Sequence, residues 1–277
     1  MYKTLIDCNT LQTFLGSPSW VIVDCRFSLD DTAWGQGAYE AAHIPGAVYA
    51  HLDNDLSGPP TTDVGRHPLP PADALVRLFS RLGIGPGVQV VVYDQVNGMI
   101  ASRLWWMLRY MGHTAVSVLD GGWMAWESGH YPAAAGVETN APAQFTGRPR
   151  LEWLVQVAEV PQIQTLIDSR DSARYRGEME PIDPVAGHIP GAKNYFYQEN
   201  WGEDGRYLSA DQIKTNLHTL LDGTTPDEAV FYCGSGVSAC VNLLALAHAG
   251  LGNGRLYVGS WSEWSSDPNR LIAVGNE

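Results

Sequence analysis

Short apolar stretches alternate with longer amphipathic ones along most of the chain. In the first half these stretches are WVIVD, VQVVVY and AVSVL, and in the second half they are TLID, AVFY and RLYV. They are short and mostly rich in β-branched residues, so each predicts a buried strand. Because amphipathic segments separate the strands, the pattern predicts α/β domains in which a mainly parallel sheet is flanked by helices.

Four of the amphipathic segments predict helices: ADALVRLFSRLG, ASRLWWMLRYMG, SADQIKTNLHTLLDG and SACVNLLALAHAG. Each ends on a glycine, as helices often do. Ser209 begins the third segment and is expected to cap its N-terminus, with Gly223 at the other end.

The two halves of the chain repeat the same local sequences in the same order. VIVDCR returns as TLIDSR, AHIPGA as GHIPGA, VVYD as VFYC, and GGWMAW as GSWSEW. A repeat that keeps its order indicates a tandem duplication of one domain. The first half carries extra residues near positions 57–71. Six tryptophans are expected in the core or at a domain interface: Trp105, Trp106, Trp123, Trp126, Trp261 and Trp264.

A stretch rich in Pro, Ala and Gly, YPAAAGVETNAPAQFTGRPR, separates the two halves. This composition is typical of a linker. We therefore predict an N-terminal domain over residues 1–131, a linker over residues 132–149 and a C-terminal domain over residues 150–277.

The charge of the chain restricts its partners. With 17 basic and 30 acidic residues the net charge is −13, which argues against nucleic acid or an anionic membrane surface. A small anionic substrate is still compatible with this net charge, because salt screens the distant acidic residues beyond about 10 Å. No apolar run reaches the roughly 18 residues of a membrane helix, and the N-terminus lacks a secretory pattern, so a cytoplasmic location is expected.

One of the four cysteines differs from the other three in its position along the chain. Cys8, Cys25, Cys233 and Cys240 form no CxxC pair and no zinc-type cluster, so neither a metal site nor a disulfide is expected. Three of them are expected to be free, partly buried thiols. Cys233 differs because it directly follows a predicted strand, at the end of a parallel sheet where ligands bind.

The loop after Cys233 consists of small residues: Gly234, Ser235, Gly236, Val237 and Ser238. Small side chains leave the backbone N–H groups unobstructed, and such groups at a helix N-terminus bind anions. The anion at their centre would be the Cys233 sulfur, which would then act as a nucleophile. The alternative is a small apolar residue at a strand end, followed by glycines that only turn the chain.

Together these features resemble a tandem-domain rhodanese-type sulfurtransferase over nearly the whole chain. The resemblance rests on DCR and DSR after the first predicted strand of each half, on the paired HIPGA, on DGGW and VGSW, and on a cysteine loop in the second half alone. It implies two rhodanese-like domains, of which the first is catalytically silent and has Asp94 at the cysteine position. The CGSGV loop is similar to the 3-mercaptopyruvate branch, whereas the thiosulfate branch typically carries cations in this loop.

The resemblance implies a ping-pong reaction without a cofactor or metal. A small anionic sulfur donor would leave a persulfide on Cys233, and a thiol, cyanide or thioredoxin-type acceptor would remove the outer sulfur. We expect 3-mercaptopyruvate as the donor, because Ser235 and Gly236 are neutral. Two alternatives stay open: thiosulfate as the donor, and a persulfide carrier that does not metabolise a free donor.

The resemblance also implies further site residues. Ser235 is expected to act with His67 and Asp53 on the substrate carbonyl and its protons, in the manner of a Ser-His-Asp relay. The alternatives are a helix-capping hydroxyl, a solvated loop histidine and a turn aspartate. The loop residues Gly234, Gly236, Val237 and Ser238 are expected to bind the substrate.

Arginines in DSRDSARYRGE complete the expected site. Arg174 matches the family's arginine for the substrate carboxylate, and a guanidinium fork suits that group. Arg170 matches an arginine that supports the fold by ion pairing, as Arg26 does in the other half. The family places a second carboxylate-binding arginine shortly afterwards, but Ile182 and Asp183 occupy that stretch here.

Two other sequence features argue against alternative catalytic roles. A phosphatase of this fold needs an arginine at the end of its cysteine loop, and none occurs between Cys233 and Asn242. His43 and His188 precede the paired IPG turns in both halves, although only one half has the nucleophile. Both histidines are therefore expected to be structural.

Overall fold

The computed structural model describes residues 1–60 and 64–276. The chain divides into two compact units, each assembled from separate segments. The first unit comprises residues 1–58, 70–150 and 203–207, and the second comprises residues 59–69, 151–202 and 208–277. Most of the stretch predicted as extra in the first half thus lies in the second unit, and its residues 61–63 lie outside the described part.

Specific contacts explain the two short segments. The backbone of Gly65 packs so tightly that a Cβ atom there would lie 2.6 Å from the Gly259 carbonyl oxygen. The next amide, that of Arg66, donates to the Ser262 Oγ at 3.2 Å, which holds this segment in the second unit. In the first unit, the Tyr207 amide donates to the Asp120 Oδ1 at 2.9 Å.

The first unit contains a five-stranded parallel sheet in the order β1-β5-β4-β2-β3. Its strands are β1 (Leu5–Ile6), β2 (Trp20–Asp24), β3 (Ala47–Tyr49), β4 (Gln89–Tyr93) and β5 (Val116–Leu119). Its helices are α1 (Cys8–Gln12), α2 (Trp34–Ala41), α3 (Ala72–Arg81), α4 (Ala101–Tyr110) and α5 (Gly122–Ser128).

The second unit repeats this arrangement, with the parallel order β6-β10-β9-β7-β8. Its strands are β6 (Leu154–Val155), β7 (Leu166–Asp168), β8 (Lys193–Asn194), β9 (Val230–Tyr232) and β10 (Arg255–Tyr257). Its helices are α6 (Ser172–Tyr175), α7 (Ala210–Leu221), α8 (Ala239–His248) and α9 (Ser260–Trp264), with short 3-10 turns at Leu151–Trp153, Val160–Gln162, Tyr197–Asn200 and Pro226–Glu228. The predicted α/β class and the duplication are confirmed.

The central strands owe their position to their composition. Every residue of β4 and β9 is buried, as expected for strands covered on both faces of a parallel sheet. Apolar side chains of β2 and β4 pack with Trp123 and Trp126 in the first unit. The matching Trp261 and Trp264 pack against β7 and β9 in the second unit, which confirms the prediction of core tryptophans.

The four predicted helices are present as α3, α4, α7 and α8. The Ser209 side chain accepts from the Gln212 amide, while the Gln212 side chain accepts from the Ser209 amide. This capping box confirms the predicted N-terminus of α7. In the part of the chain that the structure describes, no helix is both long and apolar enough to cross a membrane.

Each unit contains the same buried ion pair at the end of one strand, β2 in the first unit and β7 in the second. The Arg26 guanidinium contacts Asp24 at 2.7 Å, and the Arg170 guanidinium contacts Asp168 at 2.6 Å. Each arginine also lies over a tryptophan ring, 4.7 Å from the centre for Arg26 and 4.6 Å for Arg170. Such buried charges need their partners, which confirms the structural role predicted for both arginines.

The histidines of the paired IPG turns are equivalent as well. His43 and His188 are fully buried, and the Nδ1 of each lies within 2.8 Å of a helix carbonyl oxygen, that of Tyr39 or Tyr175. Their amides pair with Ala134 and Ala273 in isolated bridges. The same contacts in both units confirm the prediction that these histidines are structural.

Candidate active site

The Cys233 loop joins the end of β9 to the start of α8, and backbone hydrogen bonds fix it against the start of α9. The Cys233 amide donates to the Ser260 Oγ at 3.2 Å. In return, the Trp261 amide donates to the Cys233 carbonyl at 3.0 Å, and the Ser262 amide donates to the Gly234 carbonyl at 2.9 Å. The peptide groups on both sides of Cys233 are therefore fixed by hydrogen bonds to the start of α9.

Gly236 gives this loop its tight curvature. Its φ is +74°, in the left-handed region that favours glycine. A Cβ atom at this position would lie 2.4 Å from the Val258 carbonyl oxygen, closer than any real contact. The sequence thus needs glycine here for two independent reasons.

The first unit has an equivalent loop, and it surrounds the carboxyl group of Asp94. The two oxygens of Asp94 accept four backbone hydrogen bonds, from the amides of Val96 (3.3 Å), Gly98 (2.9 Å), Ile100 (2.7 Å) and Ala101 (3.0 Å). Burial raises the pKa of Asp94, and these four amides oppose that effect. In the loop that follows β4, the strand that corresponds to β9, the backbone amides therefore point to one carboxyl group.

The two loops are anchored in the same way. The Trp123 amide donates to the Asp94 carbonyl at 2.8 Å, just as the Trp261 amide donates to the Cys233 carbonyl. Gly98 has a φ of +84°, close to that of Gly236. The first loop has one residue more before its helix begins. Asp94 and Cys233 thus occupy corresponding positions, as the repeat predicted.

The thiol itself is buried, with Cys233 only 1% exposed. Reactive cysteines are usually partly exposed, so this burial is the observation that favours a structural thiol. The other cysteines are also buried rather than partly buried, and burial raises the pKa of Cys8 to about 11 and that of Cys25 well above its ordinary value.

Ser235 and His67 lie in direct contact. The Ser235 Oγ and the His67 Nδ1 are 2.7 Å apart, and both residues are buried. His67 belongs to the short 59–69 segment of the second unit, so this pair forms within one unit. Asp53 lies in the first unit, where its amide donates to the His51 Nδ1 at 3.1 Å. A contact between Asp53 and His67 stays a prediction.

The remaining predicted loop residues lie around the cysteine. Gly234, Gly236 and Val237 are buried, and Ser238 is half-buried at the start of α8. The Val237 and Ser238 carbonyls accept the first hydrogen bonds of that helix. Their role in substrate binding stays a prediction.

Two guanidinium groups flank the loop, one predicted and one missed by sequence reasoning. A Cβ atom at Gly234 would lie 3.0 Å from the Arg66 Nη2 and 3.7 Å from the Arg174 Nη2. Arg174 was expected here, but Arg66 was not, although it directly precedes His67. Its proximity to Gly234 shows that neutral residues inside the loop do not make the whole site neutral.

Carboxylates hold both arginines. The Arg174 Nη2 contacts Glu180 at 2.6 Å and Asp183 at 3.3 Å, and Arg66 is paired with Asp183. Burial raises the pKa of Asp183, while Arg66 and Arg174 oppose the shift. At Glu180, the hydrogen bonds from Arg174 and the backbone outweigh burial and lower the pKa. The stretch expected to carry a second arginine thus supplies the anion that holds Arg66.

Comparison with known proteins agrees with this architecture. The family model of the rhodanese-like domain matches residues 7–129 and 151–267. The chain is 43% identical to a probable 3-mercaptopyruvate sulfurtransferase of Pseudomonas aeruginosa over 98% of each chain. It is 39% identical to a putative thiosulfate sulfurtransferase of Mycobacterium tuberculosis, over 92% of this chain and 90% of that one.

A solved structure extends the likeness to three dimensions. The 3-mercaptopyruvate sulfurtransferase from Leishmania major superposes with a TM-score of 0.84 at 32% identity, over 95% of this chain and 74% of that one. Both the duplicated sheets and the family match cover most of the sequence. The chain therefore belongs to the rhodanese-like family, as a member with two such domains in tandem.

Proposed function

We propose that this protein transfers sulfur from 3-mercaptopyruvate to a thiol or cyanide acceptor through a persulfide on Cys233. The observation that carries the proposal is the pair of equivalent loops. In the first unit the loop amides bind the Asp94 carboxylate, and in the second unit the corresponding residue is a thiol. The same arrangement would stabilise a thiolate and then the persulfide anion. The similarity to proteins named 3-mercaptopyruvate sulfurtransferase supports this donor.

The donor step forms one bond and breaks one. The Cys233 thiolate attacks the sulfur of 3-mercaptopyruvate, and an S–S bond forms. The C–S bond breaks, and its electron pair stays on carbon as the enolate of pyruvate. A proton then reaches that carbon, and pyruvate leaves the persulfide behind. Negative charge thus develops on the carbonyl oxygen of the donor during this step.

Ser235 is suited to that developing charge. Its hydroxyl, hydrogen-bonded to His67 at 2.7 Å, can donate to the carbonyl oxygen while His67 exchanges the proton. Asp53 would orient His67 in the same relay. In the second step the acceptor attacks the outer sulfur, the S–S bond breaks, and the Cys233 thiolate is restored. A thiol, cyanide or a thioredoxin-type dithiol meets this requirement.

Donor choice tests this function. We expect a higher kcat/KM with 3-mercaptopyruvate than with thiosulfate, measured side by side with cyanide as the common acceptor. Catalytic release of pyruvate distinguishes an enzyme from a persulfide carrier, which would load once and stop. A higher kcat/KM with thiosulfate would reverse the assignment of the donor.

Replacing Ser235 by alanine separates the two donors more sharply. The rate with 3-mercaptopyruvate is expected to fall about 100- to 1,000-fold, the range for loss of one donor to a developing oxyanion. The rate with thiosulfate should fall much less, because sulfite leaves without an enolate. Equal losses with both donors would contradict the role of Ser235 at the carbonyl.

One observation favours thiosulfate as a second candidate. Two guanidinium groups lie beside Gly234, and a compact dianion needs cations close to the sulfur. Glu180 and Asp183 contact these same arginines and reduce the local positive charge. A monoanionic carboxylate therefore fits this site better than a dianion.

A further inference from the structure

Ser260 has a backbone conformation that serine rarely adopts. Its φ is +56°, in the left-handed region where a Cβ atom is strained, and the residue is fully buried. The other described residues with a positive φ that are not glycine, His130 and Asp222, are both exposed. Within the described ranges, Ser260 is thus the one residue other than glycine that combines this strain with burial. Such a conformation persists where the surrounding structure enforces it, and it is frequent at functional sites.

The first unit forms the same turn with a glycine. Gly122 matches Ser260 in the repeat, and its φ of +57° is almost identical. The amide of Trp123, the next residue, donates to the Asp94 carbonyl, as the corresponding amide does in the second unit. Because glycine adopts this φ without strain, these backbone contacts need no side chain at this position.

The Ser260 side chain adds a contact that glycine cannot make. Its Oγ accepts a hydrogen bond from the Cys233 amide at 3.2 Å and donates one to the Tyr257 carbonyl at 2.9 Å. Cys233 and Ser260 are both buried, so the hydroxyl pairs with an amide that would otherwise be costly to leave alone. The hydroxyl therefore links the peptide group of the cysteine to the end of β10.

This contact is not an ordinary helix cap. The N-cap position of α9 is Gly259, and the hydroxyl of Ser260 contacts Cys233 and Tyr257 instead of the amides of its own helix. In the first unit, a Cβ atom at Gly122 would lie 2.6 Å from the Asp94 carbonyl oxygen, so a side chain would clash there. The strained serine thus occurs in the unit that has the thiol, and glycine occurs in the unit that has the carboxyl group.

We propose that Ser260 is a positioning residue for Cys233, and that its hydroxyl fixes the peptide group of the nucleophile. This inference rests on the proposed function, because it assigns the strain at Ser260 to the transfer of sulfur. Rotation of the Cys233 peptide group would carry the Cβ–Sγ bond with it. The hydroxyl therefore holds the sulfur in one place in both half-reactions, uptake from the donor and release to the acceptor.

The test is the kinetics of Ser260→Gly, which removes the hydroxyl and the strain together. With 3-mercaptopyruvate and cyanide, kcat is expected to fall about 10- to 100-fold, up to the loss that a displacement of about 1 Å can cause. KM should change little, because the hydroxyl contacts backbone groups and not the donor. In single-turnover experiments both half-reactions should slow down. The melting temperature should stay close to that of the wild type, because relief of strain offsets the lost hydrogen bond.

Two further variants separate the hydroxyl from the strain. Ser260→Ala keeps the left-handed Cβ atom without the hydroxyl, so it should show the same loss of kcat together with a lower melting temperature. Asp222→Gly relieves a φ of +48° at the exposed end of α7, and should keep the wild-type kcat. These two variants show whether activity depends on the hydroxyl or on the backbone conformation.

The possible outcomes distinguish the inference from the function on which it rests. A wild-type kcat in Ser260→Gly, or a raised KM at an unchanged kcat, would overturn the inference alone. Slowing of only one half-reaction would also contradict it, since the sulfur of Cys233 takes part in both. A wild-type protein that takes no sulfur from 3-mercaptopyruvate would overturn the proposed function, and the inference with it.

Discussion

Replacing Cys233 by serine is expected to abolish turnover, with a loss of at least about 1,000-fold in kcat. A serine hydroxyl is not ionised near neutral pH, and it cannot form the S–S bond that holds the transferred sulfur. The substitution removes no large side chain and leaves the backbone contacts to Ser260 and Trp261 available. Steady-state release of pyruvate with cyanide as the acceptor measures the effect.

The matched control is Cys8→Ser in the first unit. Cys8 is also buried, and burial raises the pKa of its thiol to about 11, so it contributes no thiolate near neutral pH. This variant is expected to keep the wild-type kcat. Comparable activity in the Cys233 and Cys8 variants would refute the assignment of Cys233.

Replacing Gly236 by alanine is expected to lower kcat by about 100-fold, the loss that a displacement of 1 Å can cause in a positioned site. The added methyl group would lie 2.4 Å from the Val258 carbonyl oxygen, so the loop has to move. The loop amides, which the proposed function places around the Cys233 sulfur, would move with it and lose that arrangement. Single-turnover kinetics of the donor step measure this loss directly.

Gly191→Ala separates steric displacement from backbone strain. Gly191 has a φ of +80°, close to that of Gly236, but a Cβ atom there would meet no atom within 4 Å. Both substitutions carry the cost of a left-handed alanine, so both should lower thermal stability somewhat. Only Gly236→Ala should lose activity. A wild-type donor step in Gly236→Ala would show that the loop shape is not needed for catalysis.

The central strands and long helices could be predicted because their sequence pattern is strong. β2 and β4 are five-residue strands made mostly of apolar residues, and α7 carries a complete capping box at Ser209. The edge strands β1, β6 and β8 have two residues each, which is too short for any periodicity. Their positions are defined by their pairing with β5, β10 and β7.

The candidate site was predicted where its residues are close in sequence. The Cys233 loop is continuous, so its small residues could be recognised together. His67 and Ser235 are 168 positions apart, and only the family resemblance linked them before their contact was observed. Arg66 and Asp183 are 117 positions apart, and an aspartate in place of an expected arginine gives no hint of its partner.

The first unit provides an internal comparison for the second. It shows that a loop after this strand binds a carboxylate with four amides, although that unit has no thiol there. The burial of Cys233, in contrast, is what a structural thiol would show. A direct observation of sulfur on Cys233 distinguishes these two interpretations.

The most direct test of the central claim is mass spectrometry of the protein after exposure to 3-mercaptopyruvate without an acceptor. The account predicts a gain of one sulfur atom per chain, located by peptide mapping on Cys233, with one pyruvate released. Addition of cyanide should then remove that sulfur as thiocyanate. An unmodified Cys233, or a sulfur found on Cys8, Cys25 or Cys240 instead, would contradict the account.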